Sequence, residues 1–180
     1  MLTLGAFAKG MAADRCGQLM KEQGVTSALI ALGGSLNAVG VRPDGQGWQV
    51  AVRDPRGEAS DWIGVLSLED SSVSTSGGYE RYFEQDGVVY HHILDPRTGY
   101  PAETDLLSAT VVADSGALAD AFSTTLFLLG EEQALALTES RSDLEAILVT
   151  RDGRVVVTAG LSDSFQFTGG ANGYTLEQRG

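Results

Sequence analysis

The 180 residues suffice for one domain with a real core, and 43 % hydrophobic against 20 % charged residues excludes a disordered or fibrous chain. A net charge of −12 excludes the basic footprint that a nucleic-acid binder needs to release phosphate counterions, and the acidity is no evidence for a metal. No stretch approaches the roughly 18–20 apolar residues of a membrane span, and one cysteine, Cys16, cannot make an internal disulfide.

The opening Met1-Leu2-Thr3-Leu4-Gly5 has no basic n-region and no long apolar run, so no signal peptide is expected. Met11, Ala12, Cys16, Leu19 and Met20 recur at helical spacing, which predicts a helix over 8–23 stopped by Gly24, with Cys16 buried and inert. Residues 25–32 read as a strand ending at Gly33-Gly34. Residues 48–52 and 62–66 alternate as strands of a half-exposed sheet, with turns at Pro43-Asp44-Gly45 and Asp54-Pro55-Arg56-Gly57. Asp86-Gly87 leads into a strand over 88–94, and 108–113 is another. An apolar helix spans 116–129, closed by Gly130, and a second helix spans 131–140. Residues 146–150 and 154–158 predict a hairpin around Asp152-Gly153, and 169–173 is flexible in composition. No repeat and no linker divides the chain, so 1–180 is expected to be one domain of the α+β class.

Four segments could carry chemistry. His91-His92-Ile93-Leu94-Asp95-Pro96-Arg97-Thr98-Gly99-Tyr100-Pro101 holds both histidines of the chain. Histidine moves protons near neutrality, and the Asp-Pro and Thr-Gly steps punctuate a turn that could fix the imidazole angle; the alternative is a strand end before a hairpin. Asp120, Ser123 and Thr124 share one helix face, giving a carboxylate and two hydroxyls, all hard oxygen donors of the kind Mg²⁺ takes. The alternative is a polar stripe meeting solvent, although the apolar flanks disfavour an unpaired Asp there. Gly5-Ala6-Phe7-Ala8-Lys9-Gly10 either opens a helix or receives an anion at its N-terminus; it is no Walker motif. Gly33-Gly34 and Thr75-Ser76-Gly77-Gly78 are either turns or close approaches to a ligand.

Taken in order, Leu4 to Arg15, Leu32-Gly33-Gly34-Ser35, Ser74 to Tyr82, the His91 to Pro101 segment and Ala119 to Thr125 resemble the FAD:protein FMN transferase family. The resemblance covers nearly the whole chain and implies the α+β flavin transferase fold. It implies a Mg²⁺ site made by the Ala6 carbonyl, Asp120 and Thr124, with Ser123 contributing. Lys9 is expected to contact FAD, Leu94 to line the flavin pocket, and Gly33, Gly34, Thr75 and Ser76 to surround the flavin nucleotide. His92 matches the family histidine of His-x-x-Asp-Pro, as general base or phosphate ligand, whereas His91 matches a variable position and Asp95 shapes the turn.

The implied reaction is transfer of FMN from FAD to a Thr or Ser hydroxyl of an acceptor protein, releasing AMP. The alternatives are a non-catalytic flavin-nucleotide binding module and a FAD pyrophosphatase, with water as acceptor. Members of the family are longer and usually exported, and Thr3 stands where they carry an Asp that contacts FAD. The chain is therefore expected to be incomplete at its N-terminus, to expose apolar sheet surface and self-associate or need a partner, and to bind FAD weakly.

Overall fold

Glycines and side-chain caps punctuate the chain. The structure, a computed structural model, describes residues 4–179, so Thr3 lies outside the described residues. In chain order the elements are α1 (Ala8–Glu22), β1 (Ala28–Leu32), β2 (Ser35–Val39), β3 (Trp48–Arg53), β4 (Trp62–Leu68), β5 (Ser72–Gly77), β6 (Tyr82–Gln85) and β7 (Val88–His91). Then follow β8 (Leu106–Ala113), α2 (Gly116–Leu129), α3 (Glu131–Glu139), β9 (Glu145–Thr150), β10 (Arg154–Val157), β11 (Phe165–Phe167) and β12 (Thr175–Gln178). The fold is α+β, as the sequence predicts.

The main sheet has seven strands in the order β1-β2-β5-β8-β9-β10-β12, antiparallel except where β12 runs beside β10. A second sheet runs β11-β4-β3, and β6 pairs with β7 as a separate hairpin. Alternation along β9 assigns the layers. Ala146 and Leu148 join residues of α2 and α3 in one core, while Ile147 and Val149 join Val50 and Val52 of β3 and Ile63 and Leu66 of β4 in the other. Helices therefore cover one face of the main sheet and the small sheet covers the opposite face.

Both helix ends predicted around 116–129 are found. The α2 N-terminus is capped by Ser115 and by Asp14 of α1, whose carboxylate accepts from the Ser115 hydroxyl (2.9 Å), Gly116 N–H (2.6 Å) and Ala117 N–H (3.1 Å). An anion here satisfies orphan amides and meets the positive end of the helix dipole. Gly130 closes the helix at φ +77°.

Three expectations are corrected. The buried face of α1 is Gly10, Ala13 and Gly17, while Met11 is 50 % and Leu19 44 % exposed. The reason is steric: a Cβ at Gly10 would lie 1.8 Å from the Gly116 carbonyl oxygen, so only a seam of small residues lets α1 approach α2. Cys16 accordingly is half-buried beside Ala13, Ile30 and Val39. Second, the strand predicted over 88–94 stops at His91, because Asp95 turns the chain. Third, of the Thr75-Ser76-Gly77-Gly78 segment, read as either a turn or a close approach to a ligand, the first three residues belong to a central strand, Ser72–Gly77, that pairs with β2 and β8. The 169–173 segment forms a 3₁₀ turn that leads into β12.

Candidate functional site

The interface of α1, α2 and β5 gathers most of the polar residues singled out above. Asp120 sits in the second turn of α2, where the close approach of α1 brings it the Gly10 N–H at 3.0 Å. β5 supplies the Ser74 hydroxyl at 3.2 Å from Oδ1. Lys9 lays its ammonium across both carboxylate oxygens, 3.0 Å from Oδ1 and 3.4 Å from Oδ2, and 3.4 Å from the Gly5 carbonyl. The Asp120 side chain is only 4 % exposed, whereas that of Lys9 is 44 % exposed. A carboxylate so buried persists only when hydrogen-bonded and paired, and it is.

One turn further along α2, Ser123 and Thr124 face β5. The Ser76 hydroxyl lies 2.9 Å from Ser123 Oγ and 3.0 Å from Thr124 Oγ1. Ser123 also donates to the Asp120 carbonyl at 2.9 Å. The strand explains the alignment: Ser72, Ser74 and Ser76 alternate onto one face of β5. Ser72 accepts from Asn37 (2.8 Å), and Ser74 meets both Ser35 (3.0 Å) and Asp120. Thr75 points to the opposite face, where its hydroxyl pairs with Thr110 at 2.8 Å.

The donor set fits a hard divalent cation. It comprises one carboxylate and hydroxyls, and among the described residues there is no group of three or more His, Cys, Asp or Glu that would suit a zinc-type cage. An ammonium already sits on the Asp120 oxygens, so the site attracts cations. Ala6 lies in the exposed turn before α1, adjacent to the Gly5 carbonyl that meets Lys9. Gly33-Gly34 is the β1–β2 turn and borders the same place. Gly33 adopts φ +64°, a Cβ there would be 3.6 Å from Lys9 Cδ, and the Gly34 carbonyl accepts from Thr75 N–H at 3.3 Å.

Beyond the hydroxyl cluster lies a cleft of 790 Å³, lined by Gly78, Tyr79, Tyr82, His91, Tyr100 and Phe127 among others. Phe127 follows Asp120 by seven residues on α2, about 10 Å at 1.5 Å per residue. The cluster residues themselves do not line the cleft; α2 through Phe127, and Gly78 just after β5, connect the two. Burial pushes Tyr79 up to about 12, with Glu80 adding to it, so its hydroxyl meets any ligand un-ionised.

The two histidines separate here. His91 is the cleft residue: its ring stands edge-on to Phe127 with centroids 5.8 Å apart, and its Nε2 donates to the Ala102 carbonyl at 3.2 Å. That tautomer leaves Nδ1 a bare acceptor, and it is buried with no partner. Burial holds the imidazole below its ordinary pKa, so it stays neutral. His92 is exposed, its Nδ1 3.3 Å from the Arg81 carbonyl, and is not among the residues lining the cleft. Leu94 is exposed as well and bridges to Pro101, which does line the cleft. Asp95 shapes the turn, accepting the Arg97 N–H at 2.9 Å and gripping its guanidinium at 2.7 Å.

The structure thus brings Lys9, Gly33, Gly34, Ser76, Asp120, Ser123 and Thr124 together, and holds Thr75, His92 and Leu94 apart from that cluster. Sequence reasoning missed Ser74 and the Gly10 N–H, both on the Asp120 carboxylate. Serine at every second position from 72 to 76 was the available signal for a polar strand face.

The ApbE family model matches residues 1–148 of the chain. Over 170 residues the chain is 42 % identical to the FAD:protein FMN transferase of Treponema pallidum, covering 90 % of this chain and 47 % of that protein. It is 42 % identical over 158 residues to the FAD:protein FMN transferase of Klebsiella pneumoniae, covering 88 % and 48 %. Among solved structures it is similar to the ApbE protein of Thermotoga maritima, with a TM-score of 0.77 at 33 % identity over 98 % of this chain and 54 % of that one. The apo form of the flavinyl transferase ApbE of Pseudomonas stutzeri gives a TM-score of 0.71 at 40 % identity over 85 % and 47 %. The chain spans about half the length of the curated relatives it matches.

Proposed function

The chain belongs to the ApbE family, and from that premise we propose that it serves Mg²⁺-dependent transfer of FMN from FAD to a Thr or Ser hydroxyl of an acceptor protein, releasing AMP. One observation carries the reading: a buried carboxylate, a row of hydroxyls and a lysine ammonium converge beside a cleft of 790 Å³ with aromatic walls. That is a charged end for a pyrophosphate and a flat apolar end for a flavin ring.

In this reading Asp120, Thr124, Ser123 and the Ala6 carbonyl hold Mg²⁺. A divalent ion bound there would neutralise oxygen charge as AMP leaves. Lys9 meets a phosphate of FAD as a mobile point charge. Gly33 and Gly34 offer backbone without side-chain bulk, and Ser76 offers its hydroxyl. Thr75, tied to Thr110 across the sheet, supports that strand. Leu94 and the cleft residues border the isoalloxazine. The acceptor oxygen bonds to the FMN-side phosphorus, the bond from that phosphorus to the AMP oxygen breaks, and the hydroxyl proton passes to His92, a role that requires its exposed ring, now beside the Arg81 carbonyl, to turn toward the cleft.

The test is incubation of the chain with FAD, Mg²⁺ and a flavin-acceptor domain, read by in-gel flavin fluorescence and AMP release. The expected result is equal covalent flavin and AMP, both lost in EDTA. AMP without labelled acceptor would mean that water takes the FMN group. Neither product, with an acceptor that a relative such as the Treponema pallidum transferase does label, would overturn the proposal.

A further inference from the structure

We infer that Lys9 is a place-holding cation: its ammonium sits on the Asp120 oxygens that a divalent metal must take, and metal loading displaces it toward the phosphates of the nucleotide. The inference rests on the proposed metal site and adds an order to its assembly.

The groups on Asp120 are of two kinds. The Gly10 N–H and the Ser74 hydroxyl are neutral; the N–H is fixed by the α1–α2 seam, and the hydroxyl, carried by a central strand, can turn to Ser35 or the Gly34 carbonyl without moving its backbone. Lys9 is the charged partner, and its side chain is 44 % exposed on a flexible stem. A buried carboxylate without a counter-charge is strongly disfavoured, so something positive is required there at all times. The lysine meets that need from the position in which it contacts both oxygens, at 3.0 and 3.4 Å.

The two cations exclude each other. Mg²⁺ binds oxygen at about 2.0–2.1 Å and demands its lone pairs in fixed directions. An ammonium hydrogen-bonded to the same two oxygens blocks those directions and repels a second positive charge. The Lys9 stem runs along the β1–β2 turn, where the absence of a side chain at Gly33 leaves it unhindered: a Cβ there would already touch Lys9 Cδ at 3.6 Å. An ammonium expelled from Asp120 has three donors free for an anion. Metal and phosphate binding are therefore linked, and by reciprocity each strengthens the other.

Binding of Mn²⁺, followed through the EPR signal of the free ion, tests this without any turnover. Lys9→Met keeps the stem and removes the charge, and should tighten Mn²⁺ binding about 5-fold or more, the lower end of ordinary coupling between sites. Lys9→Arg keeps the charge and should not tighten it. Lys21→Met removes an equal charge from an exposed pair with Asp70 and should also leave affinity unchanged. If Lys9→Met binds Mn²⁺ no tighter than the parent while Asp120→Asn abolishes binding, Lys9 is no place-holder and the metal site stands. Equal tightening by Lys21→Met would reduce the effect to net charge and overturn the inference. Absence of Asp120-dependent binding in every variant would remove the metal site itself.

Discussion

His91 and His92 differ in surroundings that pH can probe. Burial lowers the folded-state pKa of His91, outweighing the Ala102 and Ile93 backbone contacts that favour the charged ring. The unfolded chain, with an ordinary histidine value of about 6.5, takes up that proton first. The unfolded state then binds more protons, so stability rises with pH through this window and falls as pH drops below about 6.5. We expect the urea midpoint of the parent to fall between pH 7.5 and 5.5, and that of His91→Gln to fall less. Equal falls would remove His91 as the cause. In the transfer assay His92→Ala should lose roughly 10²–10⁴-fold if His92 is the general base, and His91→Ala much less. Equal activity of the two variants would make the pair structural. The adjacent histidines were visible in the sequence, but their division was not. It depends on Phe127 and Ala102, which reach His91 only through the fold.

Asp120 also has a dual role at this scale. Replacing it by Ala would leave the Gly10 N–H buried without its acceptor, about 1–3 kcal/mol for such a group, while the Ser74 hydroxyl keeps Ser35 and the Gly34 carbonyl within reach. The sequence alone suggests that removing this carboxylate spares the fold; with these contacts, Asp120→Asn is the cleaner variant, since it removes the charge and keeps an acceptor.

At the scale of elements, the seam between α1 and α2 decides whether the site exists. A Cβ at Gly10 meets Gly116 backbone at 1.8 Å and Asp120 Cβ at 2.8 Å, and neither is the end of a flexible side chain. Gly10→Ala should therefore cost about 1–3 kcal/mol of stability by overpacking, read as a lower denaturant midpoint. It should also weaken metal binding by moving the start of α1, and the turn with the Ala6 carbonyl before it, away from Asp120. An Ala that folds with full stability and unchanged Mn²⁺ affinity would contradict the seam. α2 was legible because its caps and apolar run agree with a helix at every level. α1 was legible as a helix but not in its orientation. Its apolar residues mark the wrong face, and the packing face is a glycine–alanine seam that hydrophobicity does not report. β5 was illegible because Ser-Val-Ser-Thr-Ser-Gly lacks the apolar run of a central strand; hydroxyl pairs with α2, β2 and β8 replace it.

Across the whole molecule, the C-terminal region is pinned to the small sheet through Asp54. Burial pushes this carboxyl up, but hydrogen bonds from Tyr174, the Arg56 N–H, Asn172 and the Gly57 N–H outweigh it and hold it below the usual carboxylate range. Tyr174 donates at 2.7 Å and Asn172 at 2.9 Å, across more than a hundred residues of chain. A group whose folded value is depressed stabilises above its unfolded value, and loses that contribution as pH falls through the folded one. Tyr174→Phe should thus cost about 1–3 kcal/mol at pH 7 and visibly less at pH 3, measured by denaturant titration. A cost independent of pH would show that the tyrosine acts by packing alone. Nothing in the sequence linked Asp54 to Tyr174, because such pairs arise only once two sheets are stacked. The α+β class was legible from the mixture of hairpins and helices, and apolar surface is exposed at Tyr82, Phe83, Val88 and Val89 of the β6–β7 hairpin.

The central claim is that the cluster on α1, α2 and β5 is one cation and nucleotide site. Calorimetric titration of FAD into the chain, with Mg²⁺ and then with EDTA, tests it most directly. The account predicts FAD binding that needs Mg²⁺ and is lost in Asp120→Asn, with the fold unchanged by circular dichroism. FAD binding of equal strength in EDTA and in Asp120→Asn would contradict it.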